Sequence, residues 1–174
     1  MKRYICFFVF FFLLAFGFTQ TLGAQQYKSA VGARFGSPLA ISFKTFLSES
    51  SAVEAFVGYR SFSFISYVSI NGAYQIHNDL GSVTEGLQWY YGGGGGVQFY
   101  SYTGIFANID NQNSTSFSVS GYLGLDYKFV NSPVNISLDW SPTFFFGDFS
   151  DGLGFGGGFG AGNGALSVRY VLSE

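Results

Sequence analysis

A strict alternation of apolar and polar residues is the feature that most constrains how this chain can fold. Its clearest instance is the segment VNISLDW (134–140), in which four apolar residues occupy the even positions and three polar residues the odd ones. Successive side chains of a β-strand point to opposite faces, so this segment predicts a strand with one apolar and one polar face. Because the pattern recurs along the chain, the sequence predicts an all-β fold.

The alternation and the turn signals between segments predict eight strands. They cover about 26–35, 39–47, 52–61, 64–77, 86–101, 116–130, 134–146 and 155–172. Gly36-Ser37-Pro38 and Asn131-Ser132-Pro133 are strong turn signals. Ser61-Phe62-Ser63 carries no such signal, but one strand over 52–77 would be far too long, so a reversal is expected there. Pro142 removes a ladder hydrogen bond, which predicts a bulge or a rim position in the seventh strand.

The N-terminal segment is typical of a secretory signal peptide. A basic start, Met1-Lys2-Arg3, precedes the apolar run Ile5 to Phe18, and small residues end at Ala24. This layout predicts a signal peptide at 1–24 and one barrel domain at 25–174. A retained anchor helix is the alternative, but the run is shorter than the ~20 apolar residues that a spanning helix needs. Cys6, the only cysteine, lies inside this segment, so no disulfide is expected.

The composition of residues 25–174 favours a membrane barrel over a water-soluble domain. Six basic and ten acidic residues remain, a net charge of about −4, and no basic patch indicates nucleic-acid binding. Aromatic residues make up 21% of the chain and charged residues only 10%. No run after Phe18 approaches the ~18 apolar residues of a spanning helix, and only helices and closed barrels satisfy their backbone groups in a bilayer.

The charged residues test the orientation of the strands independently of the apolar residues. Three predicted strands carry two charged residues each, and in every strand the two lie an even number of residues apart, which places them on the same face. Chance would give this result in all three strands about one time in eight. The sorting predicts a charged lumen network of nine residues: Lys28, Arg34, Lys44, Glu54, Arg60, Asp126, Lys128, Asp139 and Arg169. A charge facing lipid at the midplane costs ~2–4 kcal/mol, which agrees with this inward placement.

A structural role is the preferred interpretation of this network. Eight strands enclose a space that side chains just fill, and buried charges must pair. Six cations against three anions leave a basic surplus, so a narrow porin-like channel is the first alternative. A soluble lipocalin-like barrel would need the reverse sorting, apolar inside and polar outside. The aromatic residues expected on the outer face, as interfacial girdles, are Tyr27, Trp89, Tyr127, Trp140 and Tyr170.

No residue pattern predicts catalysis, so we expect a protein that is not an enzyme and binds no metal or cofactor. The chain has one histidine, His77, and a metal site needs a cluster of ligands. With Asp79 and a serine, His77 could form a Ser-His-acid site, so an enzyme acting on outer-membrane lipid is the second alternative. The glycine runs 92–96 and 154–164 lack the Lys and the following helix of a phosphate-binding loop.

Three segments resemble the OmpA/OmpX-like eight-stranded outer-membrane barrels of Gram-negative bacteria. They are GYLGLDYKFVNSPVNISLDWSPTFFF (121–146), GLQWYYGGGGG (86–96) and GFGAGNGALSVRYVL (158–172). The resemblance implies an up-and-down transmembrane β-barrel in the cell outer membrane, surrounded by lipid, monomeric, and inserted by the barrel-assembly machinery. It implies no site residues. The ending Leu172-Ser173-Glu174 departs from the terminal aromatic residue that many such barrels carry.

An even number of strands places both termini at one end, which is periplasmic in outer-membrane barrels. The turns at 48–51, 78–85 and 131–133 are then periplasmic. The connections at 36–38, 61–63, 102–115 and 147–154 face outward. Only the two long loops, 102–115 and 147–154, offer a surface for an extracellular partner.

Replacing Asp139 with Leu tests the predicted lumen network. We expect the Asp139→Leu barrel to unfold at a lower urea concentration than the wild type, because a lumen cation loses its counter-ion. No specific reaction is expected to disappear with the carboxylate. An unchanged unfolding midpoint would contradict the network.

Overall fold

The computed structural model describes residues 27–62, 65–102, 115–147 and 158–173. The strand segments in these ranges are β1 Ser29–Gly36, β2 Leu39–Phe46, β3 Ser51–Phe62, β4 Ile65–Asp79, β5 Leu87–Tyr102, β6 Thr115–Lys128, β7 Val134–Trp140, β8 Thr143–Gly147, β9 Phe159–Gly160 and β10 Gly164–Ser173. The predicted signal peptide, 1–24, lies outside the described residues. In the part of the chain that is described, no helix is long and apolar enough to cross a membrane.

The strands close into a barrel. Each of β1 to β6 pairs antiparallel with the next strand along the chain. β6 pairs with both β7 and β8, and β10 pairs with β7 on one side and β1 on the other. β7 and β8 are two parts of one broken strand, as are β9 and β10. The predicted eight-stranded antiparallel up-and-down barrel is therefore confirmed.

The break between β7 and β8 lies at Pro142, as the sequence predicts. Ser141 N–H donates to the Asn163 carbonyl at 2.9 Å, and Gly121 N–H donates to the Pro142 carbonyl at 3.0 Å. The proline nitrogen has no hydrogen to donate, so the ladder breaks there and resumes at Thr143.

The reversal predicted near 61–63 is present one to two residues later. Phe62 at the end of β3 pairs directly with Ile65 at the start of β4. The long loops predicted at 102–115 and 147–154 fall almost wholly outside the described residues.

The two faces of the barrel wall differ sharply in polarity. Within the described strands, every charged residue occupies the inward register: Arg34, Lys44, Glu54, Arg60, Asp79, Asp126, Lys128, Asp139 and Arg169. The outward register carries exposed apolar side chains. Ile41, Val57 and Ile70 pair across β2, β3 and β4, and they are 71%, 53% and 52% exposed. The barrel therefore has a polar interior and an apolar exterior.

Gly124 of β6 makes room for a large ring inside the barrel. A Cβ at this position would lie 2.7 Å from Cζ of Tyr90 and 2.6 Å from the Leu138 carbonyl oxygen. Both distances are below any normal contact, so the Tyr90 ring sits where the side chain of a larger residue would be. Gly124 thus allows a buried aromatic residue in a narrow lumen.

Substitution of Gly124 by Ala tests this packing. We expect Gly124→Ala to lower the free energy of unfolding by about 1–3 kcal/mol, because the methyl group overlaps the Tyr90 ring and the β7 backbone. Gly72→Ala is the matched control, since a Cβ there meets nothing within 4 Å. Urea unfolding followed by tryptophan fluorescence measures both. Equal unfolding midpoints for the two variants would contradict the assignment.

Candidate functional site

The nine charged residues predicted in the lumen divide into a buried and an exposed group. The buried ones are Arg34, Lys44, Glu54, Asp126, Lys128, Asp139 and Arg169. The exposed ones are Lys28 and Arg60. Three cations and three carboxylates of the buried group contact one another and are called the lumen cluster below: Arg34, Lys44, Arg169, Glu54, Asp126 and Asp139.

Glu54 is held by two arginines. Its Oε1 accepts a hydrogen bond from Nη2 of Arg169 and lies 3.6 Å from Nη1 of Arg34. Its second oxygen, Oε2, accepts from Nε2 of Gln75 at 2.8 Å. The carboxylate is fully buried, and these partners reach it from β10, β1 and β4. Glu54 therefore links strands that are not all neighbours in the wall.

Asp126 accepts hydrogen bonds from three elements. Lys44 Nζ donates to Oδ2 at 2.7 Å, and the phenol of Tyr27 donates to the same oxygen at 3.2 Å. Asn135 Nδ2 donates to Oδ1. Burial and the adjacent carboxylate raise the pKa of Tyr27, which precedes β1, well above its ordinary value. The phenol therefore remains a donor to Asp126 at neutral pH.

Asp139 completes the pairing on the β7 side. Arg34 Nη2 donates to its Oδ1 at 2.6 Å, and the phenol of Tyr90 donates to Oδ2 at 2.9 Å. The Arg34 guanidinium also lies 4.8 Å from the centre of the Phe56 ring, a distance at which a ring face attracts a cation. One arginine thus bridges Asp139 and Glu54.

Arg169 fills the centre of the lumen cluster and uses its whole guanidinium. Nε donates to Ser42 Oγ at 3.1 Å, and Nη1 donates to Ser137 Oγ at 2.7 Å and to Asn135 Oδ1 at 3.3 Å. With Nη2 on Glu54, each nitrogen of this side chain has an acceptor, which a buried guanidinium requires.

The charges of the lumen cluster balance. Three cations face three carboxylates, whereas the sequence predicts a surplus of cations. The difference arises because Lys28 and Arg60 are exposed, and because Lys128 lies at the end of β6, where its Nζ donates to the Phe129 carbonyl at 3.0 Å. Lys44, Glu54 and Arg169 are 0%, 0% and 1% exposed, so these side chains are inaccessible to solvent.

The predictions for Tyr27 and Lys28 are wrong. Tyr27 was expected on the outer face and is buried, and Lys28 was expected in the lumen and is exposed. Regular alternation begins only with β1 at Ser29: the chain bends at Lys28, and the pairing with β10 shifts register between Ser29 and Ala30. The alternation of inward and outward side chains along β1 therefore does not predict which face these two residues occupy.

Arg60 has the predicted inward register but lies at the rim. Leu39, the first residue of β2, pairs with Tyr59. β3 therefore extends past the end of β2, and Arg60 has no partner residue in that strand. With no adjacent strand on that side, the Arg60 side chain is exposed and outside the lumen cluster.

An uncharged polar layer, which we did not predict from the sequence, lines the part of the lumen farther from the termini. Gln98 Nε2 donates to Ser118 Oγ at 2.8 Å, and the hydroxyls of Ser120 and Thr143 are 2.9 Å apart. The partners of the lumen cluster, such as Asn135 and Gln75, also escaped prediction. Their inward parity was visible in the sequence, but the carboxylate that each one reaches depends on which strands face each other across the lumen.

Among the residues that the structure describes, no serine or carboxylate is hydrogen-bonded to His77 in the Ser-His-acid arrangement considered from the sequence. Its Nε2 lies 3.4 Å from Gln75 Oε1, and its ring packs between Phe46 and Tyr90. Asp79 Oδ1 instead accepts the backbone N–H of Gly81 at 3.0 Å in the loop after β4. Among the described residues, no group of three or more His, Cys, Asp or Glu side chains is placed to hold a metal ion.

The lumen cluster is a buried network of ion pairs. Each of its carboxylates accepts hydrogen bonds from a cation and from at least one uncharged donor. Comparisons of the chain with known protein families, with curated proteins and with solved structures find no match.

Substitution of Glu54 tests the cluster as a unit. We expect Glu54→Gln to lower the free energy of unfolding by about 3–5 kcal/mol, because the buried Arg169 and Arg34 lose their shared counter-ion. Glu49→Gln, in the exposed turn after β2, is the matched control and should leave stability unchanged. Urea unfolding of the purified barrel measures both. A Glu54→Gln midpoint equal to that of the control would contradict the assigned role.

Proposed function

We propose that this chain is an integral outer-membrane β-barrel protein with a structural or surface-interaction role. The observation that carries the proposal is how polar and apolar residues are distributed between the two faces of the barrel wall. This distribution is the reverse of that in a water-soluble barrel. In the described strands, all charged residues take the inward register, and exposed apolar residues take the outward one.

Water is a poor solvent for such an exterior. Monomeric soluble proteins rarely expose contiguous apolar patches larger than a few hundred Å². Here apolar side chains follow one another from strand to strand, as with Ile41, Val57 and Ile70. In hydrocarbon the same surface is favourable, and closure of the sheet satisfies the backbone groups that a bilayer cannot.

Aromatic residues on the outer face support the same proposal. Trp89 stacks on Tyr91 near the end of the barrel that carries the termini, with ring centroids 5.5 Å apart, and Tyr170 is exposed close to that end. Phe144 and Phe146 of β8 lie near the opposite end. Aromatic bands at two levels are typical of the two interfaces of a membrane barrel.

The filled lumen favours a structural role over a conducting one. At the level of the lumen cluster the side chains are inaccessible to water, so a solute would have to displace several ion pairs to pass. The proposed role includes no catalysis, no cofactor and no nucleic acid. The partners that we propose are outer-membrane lipid and, during insertion, the barrel-assembly machinery.

The proposed orientation follows from the positions of the chain ends. β1 begins and β10 ends at the same end of the barrel, together with the connections β2–β3, β4–β5 and β6–β7. In outer-membrane barrels this end is periplasmic. The loops at 102–115 and 147–154 would then be the extracellular surface available to a partner, with the barrel as a monomeric support.

Placing a charge on the outer face distinguishes lipid from water. Val57 lies at the middle of β3 between Ile41 and Ile70, so Val57→Arg should cost ~2–4 kcal/mol in a bilayer and almost nothing in water. We expect wild-type protein in the membrane fraction, with a folded band that migrates differently from the boiled band on a gel. Val57→Arg should give less of that folded band.

Val83→Arg is the matched control, because Val83 is exposed in the loop between β4 and β5. Its folded band should equal that of the wild type. Recovery of the wild-type protein in the soluble periplasm, or equal folding of Val57→Arg and Val83→Arg, would overturn the proposed membrane location.

A further inference from the structure

His77 occupies an unusual position at the edge of the lumen cluster. Its ring is 3% exposed and stacks on Tyr90 with centroids 4.9 Å apart and an interplanar angle of 22°. Phe46 packs on it at 4.8 Å. Nε2 lies 3.4 Å from Gln75 Oε1, and Nδ1 has no hydrogen-bond partner. A neutral imidazole fits this largely aromatic site, whereas an imidazolium would bury a positive charge beside the amides of Gln75 and Gln88, which carry no counter-charge.

The same two rings already hold a cation. Nζ of Lys44 lies 4.7 Å from the centre of the Tyr90 ring and 5.8 Å from that of Phe46. A protonated His77 would therefore place a second positive charge against the rings that Lys44 occupies. In a buried site of low dielectric, two positive charges that contact the same two rings repel strongly.

Among the described residues, the two carboxylates that act on His77 already bind other cations. The charged groups acting on the imidazole are Lys44 of β2, Glu54 of β3 and Asp126 of β6, with Gln88 and Tyr90 of β5 packed beside it. Asp126 already binds Lys44, and Glu54 already binds Arg169. On its own strand, Asp79 accepts a hydrogen bond from the loop beyond β4.

We propose that His77 makes the filled lumen acid-sensitive. Protonation of the imidazole would add a fourth cation beside three cations and three carboxylates whose charges balance, and it would weaken the contact between Lys44 and Asp126. That contact joins β2 to β6 across the lumen, near the end of the barrel where both termini lie. The folded lumen therefore excludes the proton, and the barrel loses stability as the pH falls because the unfolded chain binds it.

The proposed pH dependence of stability arises from a single residue. His77 is its only histidine, and histidine is the side chain whose ordinary titration falls between pH 5 and 8. In the unfolded chain the imidazole binds a proton with the ordinary pKa of ~6.5. A barrel that keeps it neutral binds fewer protons than the unfolded chain, so stability is full above that pH and falls below it.

Urea unfolding of the full-length barrel in detergent micelles at pH 7.5 and pH 5.0 tests the proposal. A neutral imidazole in the fold predicts that the unfolding equilibrium constant rises about 30-fold between these values. His77→Gln removes the titrating group and should reduce that rise to less than about threefold. A wild-type rise equal to that of His77→Gln would overturn the proposal.

A measurement on the wild type alone covers the case in which His77→Gln does not fold. The imidazole is labelled with ¹³C, and its carbon shifts are followed by NMR in the folded barrel. We expect the shifts of a neutral ring at pH 5.0. Titration of the folded protein with a midpoint near pH 6.5 would show that the site accepts the proton without cost, which would overturn the proposal. Neither experiment depends on the membrane location of the barrel.

Discussion

The shared pairing of Glu54 with Arg169 and Arg34 is the constraint on which the rest of the barrel depends. A buried carboxylate is tolerated only with a counter-ion, and here the counter-ions come from β10 and β1 while Glu54 lies on β3. A register slip of one residue in any of these strands would turn its charge to the outer face. The ion pairs therefore specify which strand alignment is correct, in addition to filling the lumen.

The polar interior and the apolar exterior both follow from the alternation of side chains between the two faces of the strands. Eight strands enclose too little space for a large apolar core, so the lumen takes the charged and hydroxyl side chains, which satisfy one another. The lumen also holds two small apolar clusters, around Phe46 and Phe56, but many large apolar residues lie outside, where Ile41, Val57 and Ile70 form a continuous surface. A barrel of this kind needs a surrounding apolar phase, and this need underlies the proposed outer-membrane location.

Much of this architecture was predictable from period-two alternation, because that alternation is a local property of the extended backbone. The strand positions, the reversal between β3 and β4 and the break at Pro142 all follow from residues close in sequence. The errors lie at strand ends. Tyr27 lies before β1, and Lys28 lies at the bend that precedes it. Arg60 keeps its predicted inward register but extends past the end of β2, where register no longer determines burial.

The sequence by itself determined the strands, their two faces and the residue types in the lumen, since each of these depends on neighbours along one chain segment. Only the tertiary structure decided which charge meets which. Lys44 reaches Asp126 because closure brings β2 opposite β6 across the lumen, and Arg34 reaches Asp139 because β1 and β7 lie on either side of β10. The same closure decided that the cluster is balanced and that His77 shares two aromatic rings with Lys44. The physical reason is that these contacts join residues far apart in sequence, whose distances are set by barrel geometry and not by local periodicity.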